Sequence, residues 1–131
     1  MSIRRSPAIV LSLVLSAAAL LGAPGALASD GGTAKDVDGC DAASTYKLKV
    51  VTEDDGRLTV IGIVWSNDND LWSWRLKHNG DVSYSGDVKA KDADQSFRIV
   101  RSMVDWSGPD TIVFRAQNDD TGEVCRGEVA L

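Results

Sequence analysis

The chain has few of the residues that most enzymes and metal proteins need. Its 131 residues include one histidine, two cysteines and three prolines. No H-E-x-x-H motif, no C-x-x-C pair and no glycine-rich phosphate loop occurs in it. A structural or catalytic zinc site draws on several histidines, cysteines or carboxylates with short spacings, and this sequence lacks such a set. We therefore predict that the protein is not an enzyme and that it has no catalytic residue, no metal ligand and no cofactor.

The single histidine needs separate treatment, because Asp81 and Ser83 follow it closely. A Ser-His-Asp triad requires three side chains that converge in a pocket. His78 directly precedes Asn79-Gly80, a pair that is typical of a type I′ β-hairpin turn. At the tip of a hairpin the three side chains would diverge into solvent, so we do not expect a triad.

Helical periodicity is also missing. After Cys40, no window of a dozen residues repeats its apolar positions every 3.6 residues, and β-branched residues dominate. Short alternating runs separated by turn clusters predict seven strands, at 46–52, 58–65, 71–78, 82–88, 95–104, 111–117 and 123–131. Alternation loses its phase near Arg101, which we interpret as a β-bulge. The pattern predicts an all-β fold, an antiparallel β-sandwich of about seven strands and immunoglobulin-like type.

One long apolar run is present, near the N-terminus. Arg4 and Arg5 precede an apolar stretch over 8–23, and a Pro-Gly pair and Ala-Leu-Ala follow it. The run is shorter than the roughly 20 residues of a membrane span. We interpret 1–28 as a signal peptide, 29–39 as a flexible leader and 40–131 as the sandwich domain. The protein is then expected to be secreted and extracellular, without membrane attachment after cleavage. General or twin-arginine export both remain open.

Acidic residues outnumber basic ones. Removing Arg4 and Arg5, the only charged residues of the signal segment, leaves 12 basic against 19 acidic residues, a net charge of −7. No basic cluster stands out along the sequence. We expect repulsion from nucleic acids and from anionic membranes, so neither is an expected partner.

The two cysteines, Cys40 and Cys125, are the only pair available in an oxidising compartment. Neither lies in a reactive motif, so a structural disulfide is predicted rather than a redox pair. It would join the start of the domain to its last strand.

The stretch "WSNDNDLWSWRLKHNG" contains three of the four tryptophans. Trp72 and Trp74 share one face of an alternating strand whose other face is polar, so we expect both in the core. Trp65, at the end of its strand, and Trp106, in the turn "DWSGPD", are free to be exposed. These two are the candidate ligand-binding residues, because a carbohydrate-binding surface needs exposed aromatic rings.

The residues Asn67–Asp70 form a cluster of turn-forming side chains. Asp68 and Asp70 have the spacing that opens an EF-hand loop, but the glycine and the final glutamate of that motif are missing. Asn and Asp are also the residues that cap their own backbone in turns. We favour turn chemistry. Calcium binding by this loop remains an open alternative, as does a site that draws on Asp68, Asp70, Asp105 or Asp110 from different loops.

Several segments together carry a resemblance: "DGCDAASTYKLKV", "EDDGRLTV", "WRLKHNGDV" and "AQNDDTGEVCRGEVAL", after an export signal. The chain resembles small secreted single-domain β-sandwich proteins of actinobacteria, which have no assigned function. The resemblance implies a β-rich fold and carries no binding or catalytic residue with it.

These observations predict a secreted, non-enzymatic immunoglobulin-like domain that binds an extracellular protein or polysaccharide. One alternative is a carbohydrate-binding module that uses Trp65 or Trp106. Another is a small inhibitor of extracellular enzymes.

Overall fold

The computed structural model describes residues 32–90 and 94–131, and in this part of the chain all regular structure is β-strand. The eight strands are β1 (Thr33–Gly39), β2 (Thr45–Thr52), β3 (Arg57–Trp65), β4 (Leu71–His78), β5 (Asp81–Lys89), β6 (Ser96–Val104), β7 (Thr111–Asn118) and β8 (Val124–Ala130). Among these described residues, none lies in a helix long and apolar enough to cross a membrane. The predicted signal peptide, 1–28, lies outside the described residues.

The strands form two four-stranded antiparallel sheets. Sheet A has the order β1-β2-β3-β6 and sheet B the order β5-β4-β7-β8. The chain changes sheets after β3, after β5 and after β6. The all-β prediction, with two sheets and alternating buried positions, is confirmed.

The core lies between the sheets, where every second residue of most strands is buried. Trp72 is fully buried and Trp74 is 5% exposed, which confirms that both indoles face inward. Trp72 packs against Phe97 of the opposite sheet, with ring centroids 5.7 Å apart. Indoles bury more apolar area than any other side chain, so these two anchor the contact between sheets.

The prediction of seven strands is wrong, because a strand forms within the segment expected to be a flexible leader. β1 pairs with β2 over its whole length. Only Ala34 of this strand is buried, and Val37 is 58% exposed, so apolar alternation could not have revealed it. Backbone pairing and the polar contacts of Asp36 hold the strand in place.

The predicted bulge near Arg101 is also wrong. β6 pairs with β3 in one continuous register, and Arg101 lies on the same inward-facing side as Ile99 and Met103. Its guanidinium lies 5.0 Å from the Trp74 ring centroid and 5.6 Å from that of Tyr84. A cation over two aromatic faces is favourable, which explains a charged residue at an inward position. The register shift occurs instead between β4 and β5.

The Asn79-Gly80 turn is confirmed. Asn79 has φ 52° and Gly80 has φ 93°, and His78 pairs with Asp81 across the two-residue loop. Positive φ at both central residues is the requirement of a type I′ turn. The turn also bonds to the start of β7, because the Asn79 side-chain oxygen accepts a hydrogen bond from the Thr111 amide at 2.8 Å.

The two lateral flanks of the sandwich differ. At the closed flank, where β1 and β8 meet, Cys40 and Cys125 form the predicted disulfide. On the same flank, one carboxylate oxygen of Asp36 accepts hydrogen bonds from the Tyr46 hydroxyl and the Glu128 amide, both at 3.0 Å. Burial, followed by the hydrogen bond to Asp36, raises the pKa of Tyr46. This flank is therefore joined covalently and by polar contacts.

The open flank lies between the edge strands β5 and β6. Here the Tyr84 hydroxyl donates to the Ser102 carbonyl oxygen at 2.9 Å, and Arg101 covers Trp74. Exposed apolar side chains concentrate on and beside these two strands: Val82 53%, Tyr84 37%, Val100 44%, Val104 44% and Trp106 55%. Of these five, Tyr84, Val104 and Trp106 line one groove, whereas Val82 and Val100 lie on the outer faces of different sheets.

Candidate functional site

The two tryptophans predicted as ligand-binding residues lie at opposite ends of sheet A. Trp65 ends β3 and pairs with Thr45 and Ser96. Trp106 follows the end of β6, next to Val104, which pairs with Arg57 at the start of β3. With about 3.3 Å of rise per strand residue, the two ends of β3 are roughly 25 Å apart. A single aromatic platform made from both indoles is therefore ruled out by their positions.

Trp106 lines a groove at the open flank, and this groove is the best candidate site. Its volume is about 390 Å³, and its lining residues come from β3, β4, β5, the end of β6 and the following turn: Arg57, His78, Asp81, Ser83, Tyr84, Ser102, Met103, Val104 and Trp106. Trp106 is the most exposed aromatic side chain of the described residues, at 55%, whereas Trp65 is only partly exposed. The groove thus combines aromatic surface with hydroxyl, carboxylate and guanidinium groups.

His78 lies at the base of this groove and not at a solvated hairpin tip, as the sequence had suggested. It is 7% exposed, and its Nε2 lies 2.6 Å from Oδ1 of Asp110, which is 2% exposed. The antiparallel pairing of His78 with Ile112 brings Asp110 next to the imidazole. The Trp106 ring is tilted against that imidazole, with centroids 6.1 Å apart. The imidazole therefore lies beside the indole, and Asp110 holds the imidazole by its Nε2.

This pair lacks the geometry of a Ser-His-Asp triad within the described chain. The carboxylate partner of His78 is Asp110 and not Asp81. Ser83 lines the groove, but it makes no hydrogen bond to the imidazole. A nucleophilic serine needs a base within hydrogen-bonding reach, and the described contacts of His78 are with Asp110 and Trp106 instead.

A second carboxyl group adjoins the pair. A hydrogen bond to Asp110 raises the pKa of Asp105, burial and the negative charge of Asp110 act in the same direction, and His78 opposes them. Asp105 directly precedes Trp106, so the turn that carries the indole also carries a carboxyl group that holds its proton more firmly than usual. The charge of the residue before Trp106 therefore changes at a higher pH than for an isolated aspartate.

The carboxylates of the Asn67–Asp70 loop accept hydrogen bonds from within the loop, from the residues beside it and from the Asn118 side chain of β7. Asp68 Oδ1 accepts hydrogen bonds from the Ser66 hydroxyl at 3.0 Å, the Asp70 amide at 3.0 Å and the Trp72 indole N–H at 3.3 Å. Asn67 has φ 60°, as turn residues that tolerate the left-handed region do. These contacts are those of a structural turn that caps the buried Trp72.

Across residues 32–90 and 94–131, no three His, Cys, Asp or Glu side chains are grouped so that they could hold a metal ion.

The sequence predicted the exposure of Trp106 but not the side chains that surround it. Tyr84 looked like a core residue of an alternating strand, yet β5 is an edge strand and the ring is 37% exposed. Asp110 was considered only as a turn residue or a calcium ligand, and its contact with His78 was not predicted. Its burial beside His78 depends on the register between β4 and β7, and no local pattern in the sequence reports that register.

Comparison with known proteins gives no further assignment: no protein-family model, no curated protein and no solved structure matches this chain.

Proposed function

We propose that this protein is a secreted, non-enzymatic, immunoglobulin-like domain that binds a carbohydrate through the groove at Trp106. The observation that carries the proposal is the 55% exposed indole, placed beside Tyr84 in a groove that also presents polar side chains. An exposed aromatic surface rimmed by polar groups is typical of binding sites.

The strand order supports the immunoglobulin-like part of the proposal. Without β1, the sheets read β2-β3-β6 and β5-β4-β7-β8. These correspond to strands A-B-E and C′-C-F-G of the immunoglobulin scheme, with β1 as an additional edge strand and no strand D among residues 32–90 and 94–131. The disulfide differs from the antibody type, because it joins the β1–β2 connection to the last strand.

The geometry of the groove favours a sugar chain over a flat protein epitope. The Trp106 indole offers an apolar plane against which a pyranose ring can lie. Around it, Asp81, Ser83 and Ser102 offer acceptors and donors to hydroxyl groups. The buried His78 imidazole, held by Asp110, lies beside the indole. A rigid aromatic residue loses little conformational entropy on binding, which favours affinity.

A depletion assay tests this function directly. The purified protein is mixed with insoluble cellulose, chitin and xylan, and the protein left in solution is measured. We expect binding to at least one polysaccharide. Trp106→Ala should weaken it at least about tenfold, since truncating a central aromatic residue removes a large share of binding energy. Trp65→Ala, which removes the same side chain at the far end of β3, should bind like the wild type.

Two outcomes would overturn the proposal. One is the absence of wild-type binding to all three polysaccharides, and the other is a Trp106→Ala variant that binds as well as the wild type. Tight inhibition of a secreted protease in a parallel panel would instead favour the inhibitor function. Acrylamide quenching checks the assumption about exposure, because Trp106→Ala should remove most of the quenchable tryptophan fluorescence.

A further inference from the structure

The outer face of sheet B gathers basic side chains that are scattered along the sequence. Arg75 pairs with Arg115 across β4 and β7, and Arg115 pairs with Arg126 across β7 and β8. All three are on the side opposite the core, since their strand neighbours Trp74, Ala116 and Cys125 are buried. No basic cluster is visible along the sequence. Strand pairing creates one in a chain whose acidic residues outnumber its basic residues by 19 to 14.

This arrangement is unfavourable without a partner. Neighbouring strands lie about 4.8 Å apart, and like charges directly opposite each other destabilise a sheet. Only one of the three arginines has a carboxylate partner within the described chain: Arg126 contacts Glu128 at 3.1 Å. Arg115 donates to the side-chain oxygen of Gln117 at 3.3 Å.

The basic side chains surround a small pocket. Its volume is about 70 Å³, and it is lined by Arg75, Lys77, Val113, Arg115 and Arg126. Four of its five lining residues are cationic and the fifth is apolar, so no carboxylate lines it. A wider groove of about 440 Å³ begins at the same two arginines, Arg75 and Arg115, and continues towards β5.

We propose that this pocket, the arginine pocket, binds an oxyanion: a phosphate, sulfate or carboxylate group. Guanidinium groups present planar pairs of N–H donors that match such oxygens, and the resulting charge-assisted hydrogen bonds are among the strongest in proteins. A bound anion would neutralise the repulsion between the paired arginines. The groove beside the pocket gives space for the rest of a larger ligand that carries the anionic group.

The competing explanation is a solvated polar face with no ligand. It makes a different prediction about stability. If the arginines serve only as surface residues, an added oxyanion has no specific effect. If they form a site, a ligand that binds the folded state alone raises the melting temperature, and the rise grows with the ratio of ligand concentration to Kd.

The experiment measures binding of inorganic phosphate and inorganic sulfate by thermal shift and calorimetry at low ionic strength. Wild-type protein should show saturable binding with a rise in Tm. Arg115→Gln and Arg126→Gln should each weaken it about tenfold, by loss of a charge-assisted hydrogen bond. The matched control is Arg98→Gln, which changes the net charge equally on an exposed site of sheet A. It should bind the anions as the wild type does.

Dextran sulfate and neutral dextran distinguish an anionic group carried by a polymer from a free inorganic anion. Dextran sulfate that competes with inorganic sulfate, with neutral dextran inert, would indicate a polymer-borne group, whereas binding of inorganic anions alone would indicate a free ion. Equal losses in Arg98→Gln and Arg115→Gln would overturn the proposal, because they would reflect net charge only. So would the absence of saturable binding. Unliganded Arg115→Gln should be at least as stable as the wild type, which shows that lost affinity is not lost folding.

The arginine pocket and the Trp106 groove are tested independently. Trp106→Ala should leave anion binding unchanged, and Arg126→Gln should leave polysaccharide binding unchanged. Failure of one proposal therefore says nothing about the other.

Discussion

The contact between Gly62 and Phe114 allows the packing between the sheets to be tested at one position. Gly62 lies in the middle of β3 and faces the core. A Cβ atom added there would lie 2.8, 2.9 and 3.0 Å from three carbons of the Phe114 ring. The ring is fully buried, so it has no solvent-filled space into which to move. We predict that Gly62→Ala destabilises the fold.

The magnitude follows from two opposing effects. Overpacking a well-packed core costs about 1–3 kcal/mol. Replacing glycine by alanine in a tolerant site stabilises a protein by about 0.4–1 kcal/mol, because it restricts the unfolded chain. The net loss is therefore about 1–2 kcal/mol. For a domain of this size, each kcal/mol corresponds to about 4–8 °C in Tm, so Tm should fall by about 4–16 °C.

A double-mutant cycle gives the sharpest assay. Urea unfolding, followed by tryptophan fluorescence, yields the free energy of unfolding for the wild type, Gly62→Ala, Phe114→Leu and the double variant. In the Phe114→Leu background the added methyl group fills space that the ring has vacated, so Gly62→Ala should be neutral or stabilising. Contacting residues typically couple by about 0.5–3 kcal/mol. The control is Gly39→Ala, where an added Cβ meets nothing within 4 Å.

Strict additivity of the two substitutions would refute this reasoning. It would mean that the cost of Gly62→Ala arises in the backbone and not from the ring. A Gly62→Ala variant as stable as Gly39→Ala would refute it as well, since the ring would then have room to shift.

Three further predictions concern the bridge, the acidic loops and the open flank. Replacing both Cys40 and Cys125 by alanine should lower the free energy of unfolding by up to roughly 4–5 kcal/mol, the loop-entropy value for a sequence separation of 85; a loss under about 1 kcal/mol in urea titrations would contradict this. The negative charge of Asp70 has the largest effect among the nearby carboxylates that raise the pKa of Asp120. The folded state therefore holds this proton more firmly than the unfolded state, so the free energy of unfolding falls as pH rises through the carboxyl range. Asp120→Asn should therefore raise Tm at pH 7, and the gain should disappear in acid; a gain that is independent of pH would disagree. Arg101→Ala should uncover the Trp74 indole and cost about 0.5–2 kcal/mol, and unchanged acrylamide quenching would show that the guanidinium does not shield the ring.

Sequence patterns predicted those parts of the fold in which each strand has one apolar face. Trp72, Trp74 and Leu76 alternate with polar residues, so the burial of their face followed from the period of two. The turn at Asn79-Gly80 followed from the requirement for positive φ. The same pattern did not predict β1, because this strand has no alternating apolar face. Backbone pairing with β2 and the contacts of Asp36 hold it in place.

Both candidate sites depend on pairings between distant strands. For this reason the sequence pointed to Trp106 alone in the groove and to no residue of the arginine pocket. Trp106 was recognised because an indole in a turn has little reason to be buried. His78 and Asp110 meet because β4 and β7 adopt one register, and the same register aligns Arg75 with Arg115. A shift by one residue would move every side chain to the other face. Such registers arise from the packing of the whole sandwich and not from any single segment.

The disulfide has a consequence for the fate of the chain after damage. Cys40 and Cys125 enclose every strand from β2 to β7, together with the Trp106 groove. A single cut of the backbone at any loop between them would yield two pieces that remain one covalent molecule. Such nicked protein would migrate as a single species until a reductant is added, and it could keep its ligand after the first proteolytic event.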